Sequence, residues 1–250
     1  MLLEEHTMLA DRMKLINSPK TSGMRSRANR LKEQGVHVVN FAAGELDLDT
    51  CTPIKNAAIS AIKEGKNSYT ETLGISQLRM RIAESVSSAT GVEYQADEIG
   101  VTAGAKQALF NSVMALFQDG NEVIIPSPCW STFPTQVVMA GAVPVFLETS
   151  NNNYNIDRES LPFLITSKTK GIILNSPNNP TGMVYSDKAL DVVAELAIKN
   201  DLWVIFDECY ASITYPPYKH HNIVSVREEM KCRTIMAPRR FEWICYTEFP

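Results

Sequence analysis

The sequence predicts an α/β fold, a mostly parallel sheet with helices on both faces, and three observations carry that expectation. From residue 98 onward, short apolar runs at 99–102, 123–125, 143–147, 172–174 and 203–206 alternate with helical stretches, the pattern of repeated strand–helix–strand units. Most of these runs are continuously apolar, as strands covered on both faces require. A chain of 250 residues with 44% hydrophobic and 21% charged residues also has enough apolar material for a sizeable core.

Taken in order, residues 1–35 read as an amphipathic helical arm, with Leu9, Met13 and Ile16 at helical spacing and Gly35 as its stop. A strand-like stretch covers 36–41. Thr52 followed by Pro53 suggests an N-cap with proline in the first helical position, and Gly65 ends that helix. A further helix fits 75–90, closed by Gly91, and an apolar helix fits 108–117. A last strand is expected over 232–236. No internal repeat or low-complexity tract interrupts the chain, so one large domain with an N-terminal appendage is the simplest organisation.

Composition excludes several functions. The net charge is −4 and the Lys and Arg residues are dispersed, so nothing suggests a nucleic-acid surface. Cys51, Cys129, Cys209, Cys232 and Cys245 are odd in number, far apart and without a C-x-x-C pair. That argues against a disulfide framework and a zinc site, and for a reducing cytoplasm. The N-terminus, with Glu4, Glu5 and His6, does not resemble a secretory signal. No apolar run approaches the about 20 residues of a membrane helix.

In open α/β sheets, ligands bind beyond the carboxyl ends of the strands, and four such ends carry unusual residues. Thr102-Ala103-Gly104-Ala105-Lys106-Gln107 joins a strand to an apolar helix. Small residues there leave backbone N–H groups open at a helix start, which suits a phosphate, although Gly104 also suits a tight turn alone. Pro126-Ser127-Pro128-Cys129-Trp130 places an aromatic face after the second run, either for stacking a ligand or for the core. Asn175-Ser176-Pro177-Asn178-Asn179-Pro180-Thr181-Gly182 is a rigid turn whose asparagines offer neutral amide donors. Asp207-Glu208-Cys209-Tyr210 puts a carboxylate at the end of a buried strand, where it needs a cation: a metal or a protonated ring nitrogen. An ATP-binding module is disfavoured, because the chain has neither a G-x-x-x-x-G-K-S/T loop nor a G-x-G.

In this order, the four strings resemble the class I and II aminotransferases, the aspartate-aminotransferase-like members of the fold type I pyridoxal-phosphate family. The likeness covers roughly residues 38–236, and Asn175 to Gly182 is its most specific part. It implies an arm and the start of a small domain over 1–45, a large cofactor-binding domain over 46–237 that is incomplete at its C-terminal side, and an aberrant tail over 238–250. It implies pyridoxal 5′-phosphate as cofactor, an amino acid and a 2-oxo acid as substrates, a homodimer, a cytoplasmic location and no metal. The backbone at Gly104, Ala105 and Lys106 would hold the cofactor phosphate, and Trp130 would stack on the pyridine ring. Asn179 and Tyr210 would reach the phenolic oxygen, and Asp207 would pair with the ring nitrogen. The Phe41–Asp47 stretch resembles the family's substrate-carboxylate loop, so Gly44 joins Trp130 and Asn179 as candidate substrate contacts. Tyr69 resembles the tyrosine that touches the neighbouring subunit's phosphate; the alternative is an ordinary exposed loop tyrosine.

The resemblance breaks near Met236. The family pattern continues with S-x-S/A-K and then T-G-x-R-x-G, whereas this sequence reads Ala237-Pro238-Arg239-Arg240-Phe241 and has no lysine after Lys231. Lys231 precedes the expected strand and belongs at its wrong end. The Schiff-base lysine and the C-terminal carboxylate-binding arginine are therefore absent, and little or no transamination is expected of this polypeptide. Phe241, Trp243, Tyr246 and Phe249 in the tail follow no family pattern. A frameshift or early gene end is expected, with the last sheet strand missing and the exposed edges favouring poor solubility. A non-catalytic cofactor-binding protein, or another activity of the same fold such as a lyase or decarboxylase, stays open.

Overall fold

The computed structural model describes residues 10–16, 20–39, 44, 49–238 and 243–245. Two compact units divide the chain: Asn17–Glu71 forms one, and Met1–Ile16 with Thr72–Pro250 forms the other. Residues 46–71 thus group with the preceding segment rather than with the sheet. The physical reason is visible in helix α2 (Thr52–Lys63), which buries no residue and so adds nothing to a core.

The smaller unit holds α1 (Lys20–Glu33) and α2. The single helical arm expected over 1–35 is instead a 3-10 turn at Asp11–Leu15 followed by α1, and Leu9 lies outside the described residues. Residues 36–39 form no strand, because no neighbouring strand takes their backbone bonds. Residues 40 and 41 lie outside the described ones. Cys51 is the N-cap of α2, one residue before the expected Thr52, and Pro53 sits in its first turn, where a missing N–H costs nothing.

The larger unit is a seven-stranded sheet between two helical layers. Its elements are α3 (Ser76–Thr90), β1 (Ile99–Val101), α4 (Ala105–Leu116), β2 (Glu122–Ser127), α5 (Thr132–Met139), β3 (Val143–Glu148), β4 (Thr169–Asn175), α6 (Asp187–Lys199), β5 (Trp203–Glu208), β6 (Thr234–Pro238) and β7 (Trp243–Cys245). The strand order is β1-β7-β6-β5-β4-β2-β3. The pairs from β3 through β6 are parallel, and β7 runs antiparallel to both neighbours.

Both faces of β2, β4, β5 and β6 are buried, which explains their continuous apolar runs, whereas the edge strand β3 leaves Val143 and Phe146 exposed. Ile124, Ile172, Leu174, Val204, Phe206 and Met236 pack with Ile82 and Val86 of α3 and with Leu190 and Val193 of α6. The alternate positions Val123, Ile125, Ile173, Ile205 and Ala237 pack with Leu109 and Val113 of α4 and with Phe133 and Val137 of α5. The period of two then decides where β5 sends its terminal carboxylates. Asp207 continues the Ile205 side towards α4, and Glu208 continues the Val204 and Phe206 side towards α3.

Gly171 marks the closest approach in this packing. A Cβ there would lie 2.4 Å from Phe117 Cζ and 3.0 Å from the Trp203 carbonyl oxygen. Gly171→Ala is expected to destabilise the unit by about 1–3 kcal/mol through overpacking. Urea unfolding measures this, and an unchanged midpoint would contradict it.

The expectation that the last sheet strand is missing is overturned. Trp243–Cys245 fills the gap between β1 and β6, with Ile99 opposite Cys245, Gly100 opposite Ile244 and Val101 opposite Trp243, and with Met236 also opposite Cys245. A tryptophan, a β-branched residue and a cysteine suit a strand, and their backbone pairs the edges that were expected to be exposed. The predicted cause of poor solubility is removed at this gap. Phe241, Tyr246 and Phe249 lie outside the described residues.

Candidate functional site

Three strand-end loops and the start of α4 meet at one cavity, lined by Ala105, Lys106, Leu109, Trp130, Asn175, Asn179, Asp207, Cys209 and Tyr210. The α4 wall begins at Gly104, whose φ of 99° is open to glycine and strained for other residues. Gly104 is the N-cap and has no side-chain cap. Gln107 and Ala108 donate to the Gly104 carbonyl at 3.0 and 3.1 Å. The N–H groups of Ala105 and Lys106, in the first turn, lack intrahelical acceptors. Unpaired N–H groups at a helix start suit an anion.

Trp130 is half-buried. Its edge meets Phe133 at 5.4 Å with the rings at 88°, which anchors it to the α5 layer. Lys106 Nζ lies 5.1 Å from the Trp130 ring centroid, so the lysine reaches the aromatic face as well as offering its backbone. The sequence reading had assigned Lys106 a backbone role only.

The Asn175–Gly182 loop is held by its own side chains. Asn178 Nδ2 donates to the Pro128 carbonyl at 3.1 Å, and the Asn178 N–H donates to the Met183 carbonyl at 2.8 Å. The 176–177, 179–180 and 127–128 peptide bonds are cis. Asn175 is the organiser that the sequence reading missed. Its Oδ1 accepts the Asn179 N–H at 2.7 Å while its Nδ2 donates to the Asp207 carbonyl at 3.1 Å, joining two cavity walls. Its place at the head of the quoted string was the available signal. Asn179 Nδ2 in turn donates to the Tyr210 hydroxyl at 3.4 Å.

Asp207 is 3% exposed, and Cys209 bonds its carboxylate twice, through its thiol and through its N–H at 3.0 Å from Oδ1. Burial pushes the Asp207 carboxyl above its ordinary range, partly offset by Cys209 and reinforced by the neighbouring Glu208 charge. Burial likewise raises the Tyr210 hydroxyl, against the Asn179 hydrogen bond that lowers it. The thiols are no nucleophiles at neutral pH: burial pushes Cys129 up to about 11 and Cys209 higher still. Among the described residues, no group of three or more His, Cys, Asp or Glu could hold a metal.

The predicted cofactor residues Gly104, Ala105, Lys106, Trp130, Asn179, Asp207 and Tyr210 thus gather at one place in the larger unit. Gly44 and Tyr69 belong to the smaller unit and are exposed there, Tyr69 fully. Lys231 is remote, as expected from its position before β6. It pairs with Glu98 Oε1 at 2.9 Å and lies 4.8 Å from the Tyr94 ring centroid, at the end of the sheet where β1 and β6 start. Among the described residues, no helix is long and apolar enough to cross a membrane.

Open helix N–H groups, an aromatic face, amide donors and a buried carboxylate thus surround one cavity. Residues 36–237 match the family described as aminotransferase class I and II, and the chain belongs to that family. It is 39% identical over 230 residues to an aspartate aminotransferase of Bacillus sp. (strain YM-2), covering 92% of this chain and 59% of the relative. It is 39% identical over 224 residues to a probable aspartate/prephenate aminotransferase of Aquifex aeolicus, covering 89% and 57%. The solved aspartate aminotransferase of Thermus thermophilus with maleate superposes with a TM-score of 0.90 at 34% identity, over 95% of this chain and 64% of that one. The chain therefore spans about three-fifths of the length of these relatives. Members of the family use pyridoxal phosphate.

Proposed function

We propose that the cavity holds pyridoxal 5′-phosphate, and that the chain is the large-domain part of an enzyme moving an amino group between an amino acid and a 2-oxo acid. The observation that carries this reading is Asp207, a buried carboxylate facing the cavity that makes no ion pair among the described residues, opposite open helix N–H groups. A protonated pyridine with a phosphate arm supplies both missing charges, so the residues fit the group. When bound, the cofactor supplies an electron sink for the pair left behind as a substrate Cα–H bond breaks.

The chain's own residues bind and orient. The N–H groups of Gly104, Ala105 and Lys106 hold the phosphate, aided by the α4 dipole. Trp130 offers the face on which the ring would stack, with Lys106 Nζ beside that face. Asp207 keeps a proton at the ring nitrogen, since a carboxylate raised by burial gains most from a cationic neighbour. Asn179 and Tyr210 donate to the phenolic oxygen and set the ring's angle. Gly44 meets the substrate carboxylate, with Trp130 and Asn179 beside it. Tyr69 reaches the phosphate of a second subunit, which makes the working form a homodimer. The relatives' names point to aspartate or prephenate chemistry, so dicarboxylic amino acids and 2-oxo acids are the first substrates to try.

The absence of any lysine after Lys231 favours a narrower reading of the 250-residue polypeptide assayed by itself: it binds the cofactor without turning it over. Titration with pyridoxal 5′-phosphate, followed by tryptophan fluorescence, tests the reading. Saturable quenching is expected, and Asn179→Ala should weaken it about 2–10-fold, the worth of one net hydrogen bond. Quenching that never saturates would contradict the assignment.

A further inference from the structure

Strand β5 ends in two buried carboxylates that leave the sheet on opposite faces. Asp207 enters the cavity, while Glu208, 7% exposed, enters a socket of its own. There Glu208 Oε2 lies 2.6 Å from His220 Nε2 and accepts from Asn222 Nδ2 at 2.8 Å. Asn222 Nδ2 is also 3.3 Å from Met236 Sδ on β6, and its Oδ1 accepts the Val224 N–H at 3.0 Å. The His220 ring stacks against Phe206 of β5, with centroids 6.0 Å apart and planes at 13°.

These contacts pin residues 220–222 to the ends of β5 and β6. The segment 209–219, which carries Cys209 and Tyr210, becomes a loop with both ends held at one carboxylate. Within it the Ala211 N–H donates to the Glu208 carbonyl at 2.9 Å, and the Ile213 N–H donates to the Tyr210 carbonyl at 2.8 Å. Asp207 and Glu208 share a peptide plane. Locking the Glu208 side chain on one face therefore sets the rotation of the strand end, and with it the direction of Asp207 on the other.

We propose that Glu208, clamped by His220 and Asn222, is a positioning residue that aims Asp207 and Tyr210 into the cofactor cavity. The assignment rests on the reading that the cavity takes pyridoxal phosphate. Its role is geometric: an uncharged acceptor of the same shape should do the same work, whereas removing the acceptor leaves His220 Nε2 without this partner and Asn222 Nδ2 with Met236 Sδ alone.

The test uses pyridoxine 5′-phosphate, which carries the ring and phosphate without the aldehyde, added to the 250-residue chain. Fluorescence gives its affinity, and ring absorption at neutral pH reports whether the nitrogen is protonated. Glu208→Ala should weaken binding about tenfold or more and reduce the protonated-ring band. Glu208→Gln, whose amide oxygen accepts both bonds, should restore affinity to within about threefold, together with the band. If Glu208→Ala does not fold, His220→Ala, which leaves Asn222 in place, should reduce the same band. An unchanged band in Glu208→Ala, or in His220→Ala where that variant is used, overturns the assignment, as does a Gln variant that folds yet is not restored. Failure of the unchanged chain to bind at all instead overturns the functional reading, and this assignment with it.

Discussion

Asp207→Asn is expected to act in opposite directions on the cofactor-free and cofactor-bound protein. Without a ligand, Asp207 is a buried carboxylate whose folded-state pKa lies above its unfolded value. The fold therefore binds the proton more tightly than the unfolded chain does. The resulting stabilisation is fully present below the unfolded carboxylate pKa and is lost as pH rises through the folded value. Above the unfolded carboxylate pKa the upward shift opposes folding, so the neutral amide should raise the melting temperature of the ligand-free chain at neutral pH and flatten its dependence on pH across that window. With pyridoxal phosphate the sign reverses. The amide oxygen can still accept from a protonated ring nitrogen but brings no charge to offset it, and loss of a buried charged partner costs about 2–5 kcal/mol, a weakening of at least about thirtyfold. Thermal melts with and without cofactor measure both effects. A variant less stable than its parent without ligand, or equally stabilised by cofactor, would contradict the role assigned to Asp207.

The second large effect concerns turnover. Purified as the 250-residue polypeptide and supplied with pyridoxal phosphate, an amino acid and a 2-oxo acid, the protein should form no measurable product. Among the described residues, Lys106 is the lysine that lines the cavity, and its ammonium lies on the Trp130 face at the phosphate end. Lys231 is tied to Glu98 at the opposite end of β6. Among the described residues of the larger unit, neither of these amines is placed to move a proton at the substrate Cα, a contribution typically worth about 10²–10⁴-fold. Borohydride treatment should likewise attach no cofactor to the chain. Product formation, or a reduced adduct mapped to Lys106, would show that Lys106 takes a covalent part.

Much of this arrangement was readable from residues alone, for reasons that differ from element to element. The strands β2, β4 and β5 announced themselves because burial on both faces leaves an unbroken apolar run. The site followed from them, since a sheet rule points to strand ends and the Asn175–Gly182 string is too unusual for a generic turn. Other features depend on residues distant in sequence. Asn175 matters because it bonds Asp207 across a strand pair, and Glu208 matters because of His220 and Asn222 behind the sheet. Neither partnership leaves a local mark. Strand β7 was missed because three residues in a tail show no periodicity, and its place is decided by the open backbone of β1 and β6 on either side. Where the sheet unit starts has no local mark, because a well-formed helix such as α2 reads the same whether or not anything covers it.

The central claim is that strand-end loops around Asp207 form a seat for a phosphorylated pyridine. A crystal structure of the chain grown with pyridoxal 5′-phosphate tests it most directly. The ring nitrogen should lie within hydrogen-bonding distance of Asp207, the phosphate at the Ala105 and Lys106 N–H groups, and the ring face against Trp130. A ring bound elsewhere, or seated with its phosphate towards Asp207, would contradict it.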